Sequence, residues 1–204
     1  MHIVCLDLEG VLVPEIWISF SEATGISELR LTTRDISDYD VLMKRRIAIL
    51  KKHRLKLPDI QKVIAAMDPL EGASDFLNEL RQSQQVIILS DTFTQFARPL
   101  IEKLGRPTLF CNSLTIAADG TVEDYRLRIK DGKRCAVTGF AEIGFEVIAA
   151  GDSYNDISML KAAKSGILFK PPEYIKSEFP QFPVAENHGQ LMTAILSALA
   201  EGGQ

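Results

Sequence analysis

Short apolar runs recur along the chain, and polar residues or glycine follow each of them. The first run occupies residues 3–6, and comparable runs begin at Val86, Phe145 and Ile167. Apolar runs of this length are typical of strands buried in a parallel sheet. The segments between them carry apolar residues at helical spacing, so predicted strands alternate with predicted helices. This alternation predicts an α/β fold with a doubly wound, mainly parallel sheet.

Helical patterning dominates one long segment directly after the first strand, residues 15–68. The apolar positions with helical spacing in this segment are Leu42, Met43, Ile47, Leu50, Ile60, Val63, Ile64 and Met67. Pro69 and Gly72 then punctuate the return to the alternating pattern. We therefore expect a core domain formed by residues 1–14 and 69–204, with a helical cap, residues 15–68, inserted after the first strand.

Shorter elements are predicted in the second half of the chain. Thr108-Leu109-Phe110 predicts a short strand. Residues 114–122 predict a separate hairpin, because Asp119-Gly120 is a strong turn signal between apolar arms. A closing helix is expected over residues 191–199.

The composition limits the class of protein. With 204 residues, 46% of them apolar, the chain is long enough to bury one substantial core with a small insert. A formal charge of −4 and a pI near 5.5 argue against a general nucleic-acid-binding protein, because affinity for the phosphate backbone needs concentrated positive charge. The three cysteines are widely spaced and indicate neither a disulfide framework nor a zinc site.

The sequence also bears on location and partners. No apolar stretch is long enough to span a membrane, and no charged leader precedes the first strand. We therefore expect a cytoplasmic protein without nucleic-acid or membrane partners. The pattern leaves the oligomeric state open, a homodimer included.

Two acidic clusters follow predicted strands. Asp7 and Glu9 come directly after the first strand, and Asp152 and Asp156 follow the strand that begins at Phe145. Because ligands bind at the carboxyl ends of strands in open α/β sheets, both clusters are expected at one crevice. Buried carboxylates that lie together are costly unless a cation or a shared proton offsets their charge. Helix capping is the alternative for the second cluster, and the remaining motifs argue against it.

A hydroxyl and a lysine complete the set of candidate groups. Ser90 ends the predicted strand that begins at Val86, and Lys133 stands near the start of a predicted helix. Serine is also a common helix cap, and most lysines are solvated surface charges. Lys130 and Arg134 are nearby candidates for the same cationic role.

The order of these groups along the chain resembles that of the four motifs of the haloacid dehalogenase superfamily of phosphotransferases. The groups are the acidic pair that begins at Asp7, then Ser90, then Lys133, and last the acidic motif that begins at Asp152. The resemblance covers nearly the whole chain and is strongest to the phosphoserine phosphatase branch. It implies a Rossmann-like sheet with a helical cap and a Mg²⁺-dependent reaction through an aspartyl-phosphate. By resemblance, Asp7 is the nucleophile and Glu9 is the general acid and base. The implied Mg²⁺ ligands are Asp7, the backbone carbonyl of Glu9 and Asp152.

The resemblance also implies an amino-acid phosphate as substrate. Phosphoserine is the expected phosphoryl donor, and homoserine is the expected acceptor in a second, transferase activity. The residues implied to contact the substrate are Glu15 and Arg46 for its ammonium and carboxylate, and Ser90, Asp91, Lys133 and Asn155 for the phosphoryl group and its surroundings. Lys133 is preferred to its neighbours because a glycine precedes it at the helix start, as in the family motif. Helical spacing alone does not decide between Arg46 and Arg45, since each shares a face with apolar residues.

Three features depart from the usual pattern of the branch. The second acid is Glu9 where most members carry aspartate, Asp91 and Thr92 stand where glycines are common, and Ser153 with Tyr154 replaces smaller residues. Alternatives are a phosphatase of another small phosphorylated metabolite, a dehalogenase, or a non-enzymatic receiver with a phosphoacceptor aspartate. The metal motif argues against a dehalogenase, and the candidate aspartate on the first strand argues against a receiver.

Overall fold

The computed structural model describes residues 1–32, 35–36 and 38–201, which form one sheet with helices on both sides. The strands are β1 (His2–Leu6), β2 (Gln85–Phe93), β3 (Thr108–Ile116), β4 (Val122–Arg126), β5 (Glu146–Gly151), β6 (Ser165–Phe169) and β7 (Val184–Ala185). The helices are α1 (Ile16–Thr24), α2 (Tyr39–Lys52), α3 (Leu57–Ala66), α4 (Ala73–Ser83), α5 (Thr94–Lys103), α6 (Gly132–Glu142), α7 (Ile157–Ala162), α8 (Glu173–Glu178) and α9 (His188–Glu201). Short 3₁₀ turns span Ser27–Arg30 and Tyr154–Asp156. Among the described helices, none combines the length and the apolar character that crossing a membrane requires.

The sheet has the strand order β4-β3-β2-β1-β5-β6-β7. Neighbouring strands run parallel except for β3 and β4, which form an antiparallel hairpin. The predicted α/β class with a doubly wound, mainly parallel sheet is therefore confirmed. Because β1 lies between β2 and β5, the carboxyl ends of these three strands are adjacent. The acidic motifs follow β1 and β5, and Ser90 lies near the end of β2.

Two strand boundaries differ from the sequence prediction. β2 continues beyond Ser90, and β3 runs without a break into the hairpin predicted around Asp119-Gly120. The register between β2 and β3 shifts, after which Phe93 pairs with Asn112 and the ladder resumes. Main-chain pairing across this irregularity keeps both strands in the sheet, a tertiary effect that local turn signals do not report.

Both faces of β1 are covered. Val4 and Leu6 belong to one cluster of buried side chains, whereas Ile3 and Cys5 belong to a second cluster. Alternate residues of a strand face opposite sides of a sheet, so each cluster lies on one face. Burial on both faces is the reason that this strand is apolar at consecutive positions.

Helices α1, α2 and α3 occupy the segment predicted to form the cap. Trp17 of α1 packs edge-on against Phe96 of α5, with ring centroids 5.5 Å apart. Both side chains belong to the same buried cluster as Leu6 of the central strand. The segment is thus continuous with the core on this side, and the division of the chain at residues 15 and 68 stays a prediction.

Candidate active site

Asp7 lies at the carboxyl end of β1, where the chain turns sharply. Its backbone N–H donates to the carbonyl of Ala150 at 2.9 Å, which ties it to β5. Its Oδ1 accepts the N–H of Leu8 at 2.7 Å. The turn is closed by further main-chain bonds, in which the N–H groups of Leu12 and Val13 donate to the carbonyl of Leu8. The Asp7 carboxyl is therefore held by the sheet and by its own turn, and only 4% of the residue is exposed.

Lys133, near the start of α6, reaches the same carboxyl. Its Nζ lies 2.8 Å from Oδ1 of Asp7 and 2.6 Å from Oδ1 of Asp156, and its side chain is buried. Burial lowers the pKa of Lys133, but the two carboxylates outweigh burial and raise the pKa well above its ordinary value. Lys130 and Arg134 are both exposed, and Arg134 pairs with Asp131 at the surface. Of the three cations considered, the structure brings Lys133 to the acidic cluster.

Asp156 is fully buried, and contacts with neighbouring groups occupy both of its oxygens. Its Oδ2 accepts the backbone N–H groups of Asp152 and Ser153 at 3.0 and 3.1 Å, while its Oδ1 meets Lys133. It also forms a capping box with Ser153, so the expectation that capping would not apply to this cluster is wrong for Asp156. A Cβ at Gly151 would lie 2.3 Å from the Asp156 carboxyl carbon, so glycine is required there. Asp156 therefore closes the turn that presents Asp152.

Carboxylate oxygens of Asp7, Asp152 and Asp156 lie within 4.8 Å of one another. The pKa of Asp7 is raised well above its usual range. Burial is the largest cause and the charge of Asp156 is the next, while Lys133 acts in the opposite direction. Gly10 permits this approach: its φ is +80°, and a Cβ there would lie 2.5 Å from Oδ2 of Asp152. Clustered carboxylate oxygens are the donors that a hard divalent cation prefers, and such a cation would offset their repulsion. The residues present therefore fit Mg²⁺.

Glu9 lies two residues after Asp7 and contacts the start of α1. Its Oε2 accepts the N–H of Ile16, the first residue of α1, at 2.8 Å. Burial and the nearby Glu15 raise the pKa of Glu9 to about 7, against the opposing effects of the Ile16 N–H, Arg46 and a hydrogen bond from Thr92. A carboxyl with a pKa near neutrality can both give and take a proton at physiological pH. In the sequence, Thr92 is a departure from the family pattern, and the structure brings its side chain into contact with Glu9.

Arg46 of α2 points inward, which decides the choice that helical spacing left open. Its residue is 7% exposed, whereas the neighbouring Arg45 is exposed. The guanidinium carbon lies 4.5 Å from the ring centroid of Trp17, and Nη2 donates to the carbonyl of Leu31 at 2.7 Å. Nε of Arg46 is buried without a hydrogen-bond partner among the described residues. The charge of Arg46 lowers the pKa of Glu9 and the charge of Glu15 raises it, so both residues lie at the same end of the site as Glu9.

Asp91 and Asn155 meet between the β2 and β5 motifs. Nδ2 of Asn155 donates to Oδ2 of Asp91 at 2.9 Å. The Asp91 carbonyl accepts the hydroxyl of Tyr39, from α2, at 3.3 Å. Tyr39 carries no sequence signal for this role, because its contact depends on where α2 docks. Ser90 is buried within β2, and its Oγ accepts the N–H of Thr92 at 3.2 Å, so it belongs to the strand irregularity and does not cap α5.

A doubly wound sheet that holds clustered carboxylates and a buried lysine at its carboxyl edge is typical of α/β enzymes that bind an anionic group beside a cation. A family model for haloacid dehalogenase-like hydrolases matches residues 1–164. The chain therefore belongs to the haloacid dehalogenase-like hydrolase family. This membership argues against the receiver alternative.

Curated relatives and solved structures agree with the family. The chain is 57% identical over 198 residues to phosphoserine phosphatase ThrH of Pseudomonas aeruginosa, an alignment that covers 97% of each chain. It is 54% identical over 198 residues to a phosphoserine phosphatase of Pseudomonas syringae pv. tomato, covering 97% of this chain and 84% of that protein. An apo crystal structure of a phosphoserine phosphatase superposes with a TM-score of 0.75 at 25% identity, covering 92% of this chain and 94% of the other.

Proposed function

We propose that this protein is a Mg²⁺-dependent phosphoserine phosphatase that acts through an aspartyl-phosphate and also transfers the phosphoryl group to homoserine. The observation that carries the proposal is the placement of the Asp7 carboxyl, 2.8 Å from the Lys133 ammonium and beside Asp152. Two relatives more than half identical to this chain are named phosphoserine phosphatases, which supports the substrate. The same proposal includes a cytoplasmic location and a helical cap over residues 15–68.

In the first displacement, an oxygen of Asp7 attacks phosphorus and the bond from phosphorus to the serine oxygen breaks. Protonated Glu9 gives its proton to the departing serine alkoxide. Lys133 and the Ser90 hydroxyl stabilise charge on the phosphoryl oxygens. The pKa of about 7 suits Glu9 to this role, since a large fraction of the side chain is protonated at neutral pH.

Asp7, the backbone carbonyl of Glu9 and Asp152 would hold Mg²⁺ at this site. Bound there, the cation neutralises negative charge that the carboxylates and the phosphoryl group bring together. Asp156 orients the loop that carries Asp152 by accepting its N–H at 3.0 Å. Because Asp156 is also occupied by Lys133, we assign it this supporting role and not that of a ligand.

Substrate recognition is assigned to the other end of the site. Arg46 would bind the substrate carboxylate, and Glu15 would bind its ammonium. The unpartnered Nε of Arg46 supports this role, because a buried donor is stabilised when a ligand oxygen accepts from it. Asp91 and Asn155, which bond to each other, would border the phosphoryl group and the amino acid.

In the second displacement, deprotonated Glu9 takes a proton from the incoming acceptor, whose oxygen attacks phosphorus and releases Asp7. Water gives inorganic phosphate, and homoserine gives phosphohomoserine. Homoserine is serine with one more methylene, so it can offer the same ammonium and carboxylate to Glu15 and Arg46. The Glu9 carboxyl, on a side chain one methylene longer than that of aspartate, accepts the N–H of Ile16 in α1 at 2.8 Å.

The test is the ratio of phosphohomoserine to inorganic phosphate, measured by mass spectrometry with phosphoserine as donor and increasing homoserine. We expect the ratio to rise and saturate with homoserine. n-Propanol is the control, because it offers a hydroxyl without the ammonium and carboxylate, and it should give no comparable product. Inorganic phosphate as the sole product at saturating homoserine would remove the transferase activity and leave the phosphatase. Glu9→Asp should lower the ratio if side-chain length favours the alcohol.

A further inference from the structure

His188, the first residue of α9, contacts the two segments that connect residues 15–68 to the rest of the chain. We call these two segments the chain crossings: the turn that contains Val11 leads into residues 15–68, and the segment that contains Glu71 leads out of them. Its Nε2 lies 2.9 Å from the carbonyl oxygen of Val11, and its Nδ1 lies 3.0 Å from the carbonyl oxygen of Glu71. Val11 belongs to the turn that follows Asp7, and Glu71 precedes α4. The imidazole therefore bridges two segments separated by sixty residues of sequence.

Both partners of the ring are carbonyl oxygens, which accept hydrogen bonds and cannot donate them. A neutral imidazole has one donor nitrogen and one acceptor nitrogen, so it satisfies only one of these carbonyls. The imidazolium donates from both nitrogens and satisfies both. The geometry of the two contacts thus matches the cationic form of His188.

Aromatic rings on two other elements also contact His188. The centroid of Phe169 in β6 lies 4.8 Å from that of the imidazole, and the centroid of Phe76 in α4 lies 5.3 Å away, with interplanar angles of 36° and 37°. Aromatic faces attract a cation, and the contact is stronger where water is excluded. Only 7% of His188 is exposed, so water has little access to the ring.

The other ionisable groups on the elements around His188 form two sets. Asp7 is buried and Glu9 is half-buried in the turn that contains Val11. The remaining groups are exposed, namely Glu71, Asp75, Glu79, Arg81, Lys170, Glu186 and Glu201. The ion pairs described for residues 1–32, 35–36 and 38–201 do not include His188. The hydrogen bonds and ring contacts described for the imidazole are therefore those with the two carbonyls and the two phenylalanine rings.

The clamped turn is also the turn that orients the catalytic acids. Leu12 and Val13 donate to Leu8, next to Asp7, and the Leu12 carbonyl accepts the N–H of Leu70 at 2.9 Å. The Val11 contact lies between these bonds. Loss of the hydrogen bond between His188 and the Val11 carbonyl would loosen the part of the turn that lies between Glu9 and α1.

We propose that His188 is a positioning residue that clamps the two crossings as an imidazolium and so fixes the turn carrying Asp7 and Glu9. The proposal extends the proposed function, because displacement of these carboxyls would slow the phosphoryl transfer assigned to them. Its structural part does not depend on which phosphate ester is the substrate.

The first experiment is nitrogen-resolved NMR of the wild-type imidazole at about pH 7.5, where a free imidazole is mostly neutral. We expect ¹⁵N shifts that show protons on both ring nitrogens of His188. A single protonated nitrogen would overturn the proposal. This measurement uses neither substrate nor a variant, so its failure is distinct from a failure of the proposed function.

The second experiment compares His188→Phe, which keeps an aromatic ring but has no donor, with His188→Gln, which keeps one donor group. His53→Gln is the matched control, because His53 is exposed at the end of α2. Hydrogen exchange at Leu12, Val13 and Leu70 should accelerate about tenfold in the Phe variant, less in the Gln variant and not in the control. We expect kcat to fall about tenfold in the Phe variant, to fall less in the Gln variant and to stay unchanged in the control. Wild-type exchange and kcat in His188→Phe would show that the ring only fills space and would overturn the proposal.

Discussion

The two ends of the candidate site differ in how completely their polar groups are satisfied. At the Asp7 end, Lys133 contacts two carboxylates at 2.8 and 2.6 Å, and Asp156 is fully buried with both oxygens bonded. At the Arg46 end, the guanidinium rests on Trp17 and its Nε is buried without a partner among the described residues. At the first end, protein groups satisfy Lys133 and Asp156, whereas the second end has a buried donor available for a ligand.

This difference follows from where each group is attached. The Asp7 end stands on three adjacent strands of the sheet, so its charges are preorganised and need no rearrangement when a phosphoryl group arrives. Arg46 stands on a helix of the 15–68 segment, where a buried donor without an acceptor costs about 1–3 kcal/mol until a ligand satisfies it. Substitutions at the sheet end should therefore affect the chemical step, and substitutions at the helical end should affect selectivity.

The largest expected effect is at the nucleophile. Asp7→Asn should lower turnover at least about a thousandfold, because an amide oxygen is a poor nucleophile toward phosphorus. Phosphate release and intact-mass detection of the phosphoenzyme measure the loss. Asp68→Asn is the control, since it makes the same change at an exposed carboxyl whose partner is Lys103. Substantial turnover in Asp7→Asn, with deamidation excluded by mass spectrometry, would assign the nucleophile elsewhere.

Metal dependence is the next test of the sheet end. Chelation should abolish phosphate release and Mg²⁺ should restore it, because the clustered carboxylates repel one another without a cation. Asp152→Asn should raise the Mg²⁺ concentration for half-maximal activity about tenfold or more, since it removes one charged ligand. Asp75→Asn, at an exposed position of α4, should leave this concentration unchanged. Full activity in a metal-free preparation would contradict the Mg²⁺ assignment.

The helical end is tested by comparing two substrates. Arg46→Ala should lower kcat/KM for phosphoserine about 10- to 100-fold, the cost of a lost charge-assisted contact, and should affect p-nitrophenyl phosphate much less. Arg45→Ala, the exposed neighbour, should change neither value appreciably. Equal losses for both substrates in Arg46→Ala would indicate that the arginine supports the fold or the phosphate site and does not select the amino acid.

The smallest effect concerns pH and sharpens the contrast at Glu9, which lies between the two ends. Because the pKa of Glu9 is raised to about 7, the side chain is mostly protonated below that pH and mostly ionised above it. Phosphoenzyme formation from phosphoserine needs the proton and should slow as pH rises through 7, whereas phosphoenzyme breakdown needs the carboxylate and should accelerate. Changes of less than about tenfold are expected between pH 6 and 8.

Single-turnover rates separate these two steps. With p-nitrophenyl phosphate, whose leaving group needs no proton, formation should not slow above pH 7. Glu9→Gln should remove both pH dependences. If formation from phosphoserine were independent of pH in the wild type, Glu9 could not be the general acid.

Much of the fold could be predicted from local pattern. The apolar run of β1 and the strand-to-helix alternation indicated a parallel sheet, because strands buried on both faces need no polar alternation. The limits of β2 were not predictable, since its continuation to Phe93 depends on pairing with Asn112 of β3. Pairing between strands distant in sequence is a tertiary property.

The chain itself determined the chemical groups of the candidate site: Asp7, Glu9 and Asp152 after β1 and β5, Ser90 within the last part of β2, and Lys133 near the start of α6. Motif order and strand position were sufficient for this, because parallel strands bring their carboxyl ends to one edge. Their further contacts were decided only in three dimensions. Arg46 rather than Arg45 turns inward because α2 packs against Trp17, and His188 reaches Val11 because α9 docks beside the first turn. Such choices depend on how helices pack, and helical periodicity alone does not specify the neighbour against which a face is buried.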